Sequence, residues 1–362
     1  MRILFPVVAL LMTQPLQAAT QSDHLHFYST FDSHTFSEST SIESLLHDFR
    51  GDIRSGDHAF TFNRAEAGIQ YDWLRVGYAQ RYDYFLKFSE DVARLYHASV
   101  HDETLPPGKI NQIALEANHV RAQGPTFGIE VQPLHNLQVA LKISSFNADR
   151  MVDGKASGQV ALLEEDEYSG AVHFLLNSSE DLLLEMPVPD PQGKGYAADV
   201  RLDWQITPAW QATLEVLDAY SRIDWEGVLY SDLTANTATV HFDQNGRLHT
   251  TPVLSGYQYL IDTEQTLPVK YRGQVQYQFS GQHAVFVEEW YVPEYVSQTT
   301  LGYLYLLAEG SHVGGYWNTA TRAVGVMAQW RWLSLRAGTD NLDGREARAW
   351  DLALGVRVPL GW

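Results

Sequence analysis

The chain closes with the stretch ARAWDLALGVRVPLGW, residues 347–362, and the alternation within this stretch decides the fold class. Side chains of a β-strand point alternately to opposite faces, so residues two apart share a face. One face is apolar and carries Trp350, Leu352, Leu354, Val356, Val358, Leu360 and Trp362. The other face is small or charged and carries Ala349, Asp351, Ala353, Gly355, Arg357, Pro359 and Gly361. Such a strand separates an apolar medium from a polar one, as the strands of a lipid-embedded, water-lined barrel do.

The same period of two recurs along the chain. It is clearest at 269–279 and is repeated at 74–88 and 198–206, with short connections alternating with longer ones. We count about fourteen strands, and 12–16 remain compatible because the pattern is ambiguous at 151–191, where we place a hairpin, and at 301–308. The sequence therefore predicts an all-β fold, a transmembrane antiparallel up-and-down β-barrel with short periplasmic turns and long external loops.

The N-terminus has the pattern of an export signal. Arg2 precedes an apolar run, and Gln17-Ala18-Ala19 supplies small residues where a signal peptidase cuts, so residues 1–19 are predicted to be a signal peptide. No other segment approaches the roughly 18 uninterrupted apolar residues of a membrane-spanning helix. Only helices and closed barrels satisfy every backbone hydrogen bond in lipid, so a membrane protein with this sequence has to be a barrel.

The remaining residues, 20–362, are predicted to form a single β-barrel domain. A capping box at 40–43 is followed by apolar residues at helical spacing, which predicts a short amphipathic helix near 41–49. The polar stretch near 224–265 is predicted to be a large external loop, with Asn245-Gly246 as the turn of a small hairpin within it.

The composition limits the partners. The chain has 44 Asp and Glu against 25 Lys and Arg, a formal net charge of −19. Nucleic acid is excluded as a partner, because a phosphate-binding surface has to be basic. There is no cysteine, so an exported protein of this sequence depends on burial and strand pairing rather than on disulfides.

Sorting the strands by parity gives a set of residues that face the lumen. Its basic members are Arg64, Arg75, Arg81, Lys142, Arg201, Lys270, Arg272, Arg331, Arg336 and Arg357. Its acidic members are Glu66, Asp83, Asp199, Asp203, Glu215 and Asp351. The predicted wall therefore leans basic in an acidic chain. A basic wall lowers the barrier for anions and hydrogen-bonds hydroxylated or carboxylated solutes. Alternatively, these charges pair with one another and brace the barrel.

The export signal, the alternating strands and the terminal aromatic strand at 352–362 together resemble the outer-membrane β-barrel proteins of Gram-negative bacteria. The resemblance implies an outer-membrane location, contact with lipid and lipopolysaccharide, and recognition of Trp362 by the barrel-assembly machinery. Pro359 departs from the pattern, because proline removes a ladder donor near the seam where the last strand meets the first.

Three classes of function follow from this architecture. An open lumen predicts a channel for small hydrophilic solutes, with anions or saccharides favoured by the basic wall. A plugged lumen lined by apolar groups such as Phe60 and Phe62 predicts a route for hydrophobic compounds. A structural barrel that anchors a partner or helps to export a polymer is the alternative, and the sequence does not separate it from a pore.

An outer-membrane hydrolase is the competing class. Ser33-His34 and the run at 178–181 supply suitable residue types, but no catalytic spacing such as Gly-x-Ser-x-Gly accompanies them, and no catalytic residue is assigned. No cofactor and no metal site is predicted, because His24 and His26 lack a third ligand. The acidic run at 164–167 is interpreted as a solvated loop in preference to a site for the divalent cations that bridge lipopolysaccharide.

Overall fold

The computed structural model describes residues 25–47, 51–101, 103, 106–164, 167–237, 240–242, 248–250, 253–307 and 310–360. The predicted signal peptide at 1–19, His24, the Asn245-Gly246 turn and Trp362 lie outside the described residues, so what was inferred about them remains a prediction.

The described residues are mainly strands. Their bounds are β1 (Leu25–Ser37), β2 (His58–Tyr71), β3 (Leu74–Phe88), β4 (Ile110–Leu134), β5 (Leu137–Glu164), β6 (Glu167–Ser178), β7 (Gln192–Thr207), β8 (Trp210–Asn236), β9 (Val240–Phe242), β10 (Leu248–Thr250), β11 (Val253–Gln265), β12 (Lys270–Gln278), β13 (His283–Val292), β14 (Val296–Leu306), β15 (His312–Asn318), β16 (Val324–Trp330), β17 (Leu333–Thr339) and β18 (Ala349–Pro359). Two helices accompany them, α1 (Ile42–Leu46) and α2 (Glu90–Val100).

Fourteen of these strands close into one antiparallel barrel, which confirms the predicted fold class. The wall runs through β1 to β5, then β7, β8 and β12 to β18, and β18 pairs with β1 to complete the ring. At this seam Pro359 lies opposite His26. The next residue, Leu360, donates its amide to the carbonyl oxygen of Leu25 at 2.7 Å. The ladder therefore continues past the missing proline donor.

Short turns collect at one end of the barrel, which we call the periplasmic end following the rule for this architecture. The β2–β3 turn Asp72-Trp73 and the β16–β17 turn Arg331-Trp332 each have two residues, with positive φ angles of 47° at Asp72 and 50° at Arg331. Arg331 was predicted to line the lumen. This prediction from the alternation pattern is wrong, because β16 ends at Trp330 and the Arg331 side chain lies exposed at the turn.

At the opposite, external end, a sheet continues beyond the barrel. β5 and β8 have 28 and 27 residues, whereas about 9–11 residues suffice to cross a bilayer. Their outer parts are joined by β6, which pairs with both, and by β11, which pairs with β8. Much of the 224–265 stretch, predicted to be a loop, is therefore strand, and the short β9–β10 pair lies between β8 and β11.

The two helices lie in external connections. α1 follows β1, and the Ser41 hydroxyl accepts the Ser44 amide at its N-terminus. α2 follows β3, and Asp91 in its first turn accepts a bond from Lys109 Nζ at 2.6 Å. Neither helix in the described part of the chain is long and apolar enough to cross a membrane.

Candidate functional site

The outer face of the barrel is an apolar band edged by aromatic rings. On β8, Trp210 lies at the periplasmic end and Tyr220 lies ten residues further along, and both side chains are exposed. Trp210 stacks on Tyr277, and Tyr220 stacks on Tyr196. Between them, Leu214 is also exposed. This spacing matches the length of a transmembrane strand, and Tyr and Trp at both edges match the two membrane interfaces.

This is the architecture of an outer-membrane β-barrel. A β-protein in a bilayer needs an apolar outer surface and a closed wall, so that every backbone hydrogen bond is satisfied. This barrel has an exposed apolar band, a wall without a free strand edge and short turns at one end. The lumen inside that wall is consequently the candidate functional site.

The most buried charges in the lumen converge on one carboxylate, Asp218. Lys270 Nζ lies 2.6 Å from Asp218 Oδ2, Arg81 Nη2 lies 2.7 Å from it and Arg64 Nη2 lies 2.9 Å from it. Arg81 and Lys270 also contact Asp83. Arg64, Arg81, Asp83 and Lys270 were all predicted from parity to face the lumen, and the structure brings them together around a residue that parity missed.

A β-bulge explains why parity missed Asp218. β8 pairs with β7 as Val216↔Val200 and then as Tyr220↔Ala198, so three residues of β8 oppose one residue of β7. Asp218 sits in this bulge with a φ of 53°, and its amide donates to Asp199 Oδ1 at 2.8 Å. Bulges re-aim side chains. Here the bulge turns an acid that alternation assigns to the lipid face into the lumen.

A second charged cluster surrounds Glu66. This carboxylate accepts hydrogen bonds from Lys142 Nζ at 2.9 Å, from the Tyr28 hydroxyl at 2.7 Å and from the Thr126 hydroxyl at 3.1 Å. Lys142 Nζ is also 3.3 Å from Asp199 Oδ2, which links this cluster to the Asp218 cluster. The predicted lumen residue Arg75 places its guanidinium 4.2 Å from the centre of the Tyr28 ring.

Further ion pairs lie elsewhere in the lumen. Arg336 contacts Asp351 at 2.6 Å and Glu288 at 2.8 Å, and the Tyr316 hydroxyl donates to Asp351 at 2.8 Å. Nearby, Arg272 Nη1 lies 3.1 Å from Asp32 Oδ2. Arg201 meets Asp203 with two hydrogen bonds, and Glu215 and Arg357 line the adjoining cavities.

The lumen is more evenly charged than the sequence analysis indicated. Asp32, Glu130, Asp218 and Glu288 face it in addition to the acids that parity identified. The signals for them were weak, because alternation in the first strand is poor, Asp218 lies in a bulge and Glu288 adjoins Glu289. With these acids included, the basic excess expected of the wall disappears, and most of the predicted cations are held in ion pairs.

An aromatic layer, defined here as Phe36, Phe60, Phe62, Phe85 and Trp290, fills the lumen on the external side of these charges. Phe62 and Phe85 are completely buried, and the Phe62 and Trp290 rings are 5.5 Å apart. The layer contacts the charges directly, because Lys270 Nζ is 5.6 Å from the Phe62 ring centre and the Arg272 guanidinium is 4.9 Å from the Trp290 ring.

A second apolar cluster lies beside the aromatic layer, under the external sheet, and is formed by Val120, Ala122, Phe146, Ala148, Met151, Ala197, Ile223, Trp225, Val228 and Leu267. The connection between β11 and β12 contributes Leu267 to this cluster. Gln265 Nε2 donates to the carbonyl oxygen of His119 at 2.9 Å, and Trp225 Nε1 donates to Gln265 Oε1 at 3.1 Å. These contacts join the end of β11 to β4.

On the periplasmic side of the charges the lumen opens into a vestibule, a cavity of about 470 Å³. Its polar lining includes six glutamines, Gln205, Gln211, Gln274, Gln276, Gln278 and Gln329, beside Arg201, Arg272 and Arg336. A smaller cavity of about 160 Å³ reaches the Glu66 and Asp218 clusters. Gln274, Gln276 and Gln278 lie on the polar face of the stretch 269–279, where the alternation in the sequence is clearest.

The hydrolase hypothesis finds no support in the geometry of its two candidate segments. Ser33 and His34 are neighbours on β1, so their side chains point to opposite faces. Ser178 donates to the carbonyl oxygen of Glu180 at 2.6 Å. Asp181 accepts the amides of Leu183, Leu184 and Met186, which is the pattern of a carboxylate that shapes a loop.

Comparisons with known proteins concern the fold alone. No family model matches the chain, and no curated protein matches it. Among solved structures, the Pseudomonas putida toluene transporter TodX is 9% identical over 92% of this chain and 87% of its own, with a TM-score of 0.36. The siderophore receptor PirA from Acinetobacter baumannii is 8% identical over 94% and 81%, with a TM-score of 0.22. The copper transporter OprC is 9% identical over 94% and 82%, with a TM-score of 0.20.

Proposed function

We propose that this protein is an outer-membrane channel for small hydrophilic solutes and that the structure represents its closed state. The proposal rests on the nature of the barrier that blocks the lumen. A polar vestibule of about 470 Å³ reaches inward from the periplasmic end, and the aromatic layer lies between the buried charges and the external end. In the described residues this barrier consists of side chains and a short connection. A side-chain barrier can open by rotamer changes and small backbone shifts, without release of a plug domain.

The solute class that fits this lumen best is neutral and hydroxylated, as in small saccharides. A glutamine amide both donates and accepts hydrogen bonds, so a wall of glutamines matches hydroxyl groups and does not select for charge. The cations that favoured anions in the sequence analysis are largely neutralised by Asp32, Asp218 and Glu288. An anion would have to compete with these carboxylates for the same guanidinium and ammonium groups.

The aromatic layer taken alone also suits a hydrophobic compound. The Asp218 cluster directly beneath it opposes that route, because an apolar solute brings no hydrogen bonds to the buried charges that it displaces. We therefore favour hydrophilic over hydrophobic solutes.

The proposal places the protein in the outer membrane of a Gram-negative bacterium, among lipopolysaccharide and after insertion by the barrel-assembly machinery. The apolar band between Trp210 and Tyr220 supports the membrane setting. The role of Trp362 as an assembly signal rests on the family resemblance.

The direct test is solute efflux from proteoliposomes loaded with glucose or with gluconate, which have similar sizes and different charges. We expect glucose to leave faster than gluconate, and both to leave faster from the Phe62→Ala/Trp290→Ala variant. The matched control is Tyr271→Ala, which removes an exposed outward ring from β12. Equal or faster efflux of gluconate would contradict the neutral-solute assignment, and retention of both solutes by the variant would contradict the channel.

A further inference from the structure

The external sheet carries a group of three neighbouring tyrosines, Tyr230, Tyr257 and Tyr259, which we name the tyrosine platform. Tyr257 and Tyr259 are 55% and 51% exposed. The ring centres of Tyr257 and Tyr259 are 5.8 Å apart and their planes differ by 27°, while Tyr230 and Tyr257 are 6.3 Å apart and differ by 25°. Three large rings thus lie side by side on one face. Tyr257 is nearly parallel to each of the other two rings, whereas the planes of Tyr230 and Tyr259 differ by 48°, and Tyr230 is half-buried.

The position of the platform excludes a role as membrane-interface aromatics. Tyr220 is the interface tyrosine of β8, and Tyr230 lies ten residues beyond it on the same strand. At about 3.3 Å per residue this is roughly 30 Å along the strand, as far again as the whole transmembrane segment. The platform consequently faces the external medium, where an exposed aromatic cluster signals a binding surface.

Polar groups are built into the same face. The Tyr257 hydroxyl donates to Asp232 Oδ2 at 2.9 Å, and His173 Nε2 lies 2.9 Å from Asp232 Oδ1. Cross-strand pairing puts His173 opposite Thr234, and Thr234 opposite Ser255, so hydroxyl groups border the rings. Asp232 fixes the orientation of Tyr257 and of the imidazole, and the surface thus combines flat apolar area with fixed hydrogen-bonding groups.

We infer that the tyrosine platform is a binding site for a neutral oligosaccharide. A sugar ring has an apolar face of C–H groups, which packs on the negatively charged face of an aromatic ring, and a rim of hydroxyls that needs both donors and acceptors. Several adjacent rings on one face suit successive sugar units of a chain.

The surrounding charge selects against acidic glycans. Asp232 is the acid on the platform's own face, where it accepts the Tyr257 hydroxyl, whereas Asp224, Glu226, Asp262 and Glu264 are exposed on the opposite face of the same two strands. A phosphorylated or carboxylated saccharide meets repulsion from the Asp232 carboxylate. A neutral chain does not, and this is why the inference commits to it rather than to the anionic saccharide of lipopolysaccharide.

Saturation-transfer NMR and calorimetric titration measure the binding of maltohexaose, cellohexaose and trigalacturonic acid to the detergent-solubilised full chain. We expect saturable binding of at least one neutral hexasaccharide, weaker binding of the acid, and about ten-fold weaker binding after Tyr257→Ala/Tyr259→Ala. The control is Tyr71→Ala, an exposed tyrosine at the periplasmic end.

Absence of binding by both neutral hexasaccharides, or undiminished binding by the double variant, would overturn the inference. Preference for trigalacturonic acid would overturn it too. Light scattering of the same samples addresses another occupant, because a dimer that dissociates on Tyr257→Ala/Tyr259→Ala would assign the face to a second copy of the chain. Since binding is measured without conduction, failure here leaves the channel proposal standing, and failure of efflux leaves this inference standing.

Discussion

Lys270 Nζ lies 2.6 Å from Asp218 Oδ2, and the side chains of both residues are completely inaccessible to solvent. Arg64 and Arg81 approach the same carboxylate, so three cations share one acid, with Asp83 and Asp199 completing the balance. Buried charges of this kind contribute modestly to net stability because desolvation is costly, but removing one partner leaves the others uncompensated.

Neutralising Asp218 is therefore expected to destabilise the barrel strongly. Asp218→Asn keeps the shape and removes the charge opposite three buried cations, with an expected loss of about 3–5 kcal/mol in the free energy of unfolding. The urea midpoint of the vesicle-inserted protein, followed by gel mobility without heating, measures it. Asp224→Asn is the control, because Asp224 pairs with Arg222 on the exposed surface and its loss should barely move the midpoint. Equal midpoints for the two variants would show that the Asp218 cluster is unimportant.

The Tyr316 side chain occupies space that Gly325 and Gly338 leave free. A Cβ added at Gly325 would lie 2.1 Å from Tyr316 Cζ, whereas one added at Gly315 would meet nothing closer than 3.6 Å. Gly325→Ala is expected to displace the Tyr316 ring from Asp351 and to cost about 1–3 kcal/mol. Gly315→Ala should be tolerated, apart from small backbone effects. The urea midpoints of the two variants and of the wild type measure these effects. A Gly325→Ala protein as stable as wild type would mean that the Tyr316 ring does not fill this site.

Arg272 and Arg331 are predicted to differ in their effect on ion selectivity. Arg272→Ser leaves the buried Asp32 carboxylate without its cation, so the opened Phe62→Ala/Trp290→Ala channel should become cation-preferring. Adding Asp32→Asn should restore the original reversal potential. Arg331→Ser should have no effect, because this side chain is exposed at a periplasmic turn. Reversal potentials in a salt gradient measure this, and a shift caused by Arg331→Ser would place that residue back in the ion path.

The attachment of α2 is predicted to depend on pH. The hydrogen bond from Lys109 lowers the pKa of Asp91 below its ordinary value, and the amide of Gln112 donates to the same carboxylate at 2.9 Å. A carboxyl whose pKa is lower in the folded state stabilises that state above its unfolded pKa and loses this contribution as the pH falls. Hydrogen exchange of the Gln112 amide, corrected for intrinsic rates, should therefore be faster at pH 3 than at pH 7. In Asp91→Asn the pH dependence should vanish, and its persistence would assign the effect to another group.

The wall of the barrel could be predicted because a period of two is all that a strand between lipid and water requires. That pattern placed Asp351 and Arg357 inside and gave the correct number of strands. The number was correct, but some of the predicted strands are not wall strands. The hairpin assigned to 151–191 belongs to the external sheet, and β14 and β15 complete the wall instead. Glycine-rich β15, with Gly314 and Gly315, has too few side chains on its faces for alternation to be visible.

The contents of the lumen could not be predicted to the same extent. Alternation tells which face a side chain occupies, but not which residues from distant strands meet, so the pairing of Arg64 with Asp218 across 154 positions was not accessible. A bulge reverses parity locally, and a turn ends it, which explains the omission of Asp218 and the misplacement of Arg331. Phe60 and Phe62 had been recognised as apolar lumen residues, but their packing with Trp290 depends on closure of the ring.

Single-channel conductance in planar bilayers tests the central claim most directly, that the aromatic layer closes a polar lumen. Wild-type protein should show rare, small openings, and Phe62→Ala/Trp290→Ala should show discrete ohmic steps of clearly larger conductance and little anion preference, with Tyr271→Ala indistinguishable from wild type. Silence from the correctly folded double variant would contradict the claim.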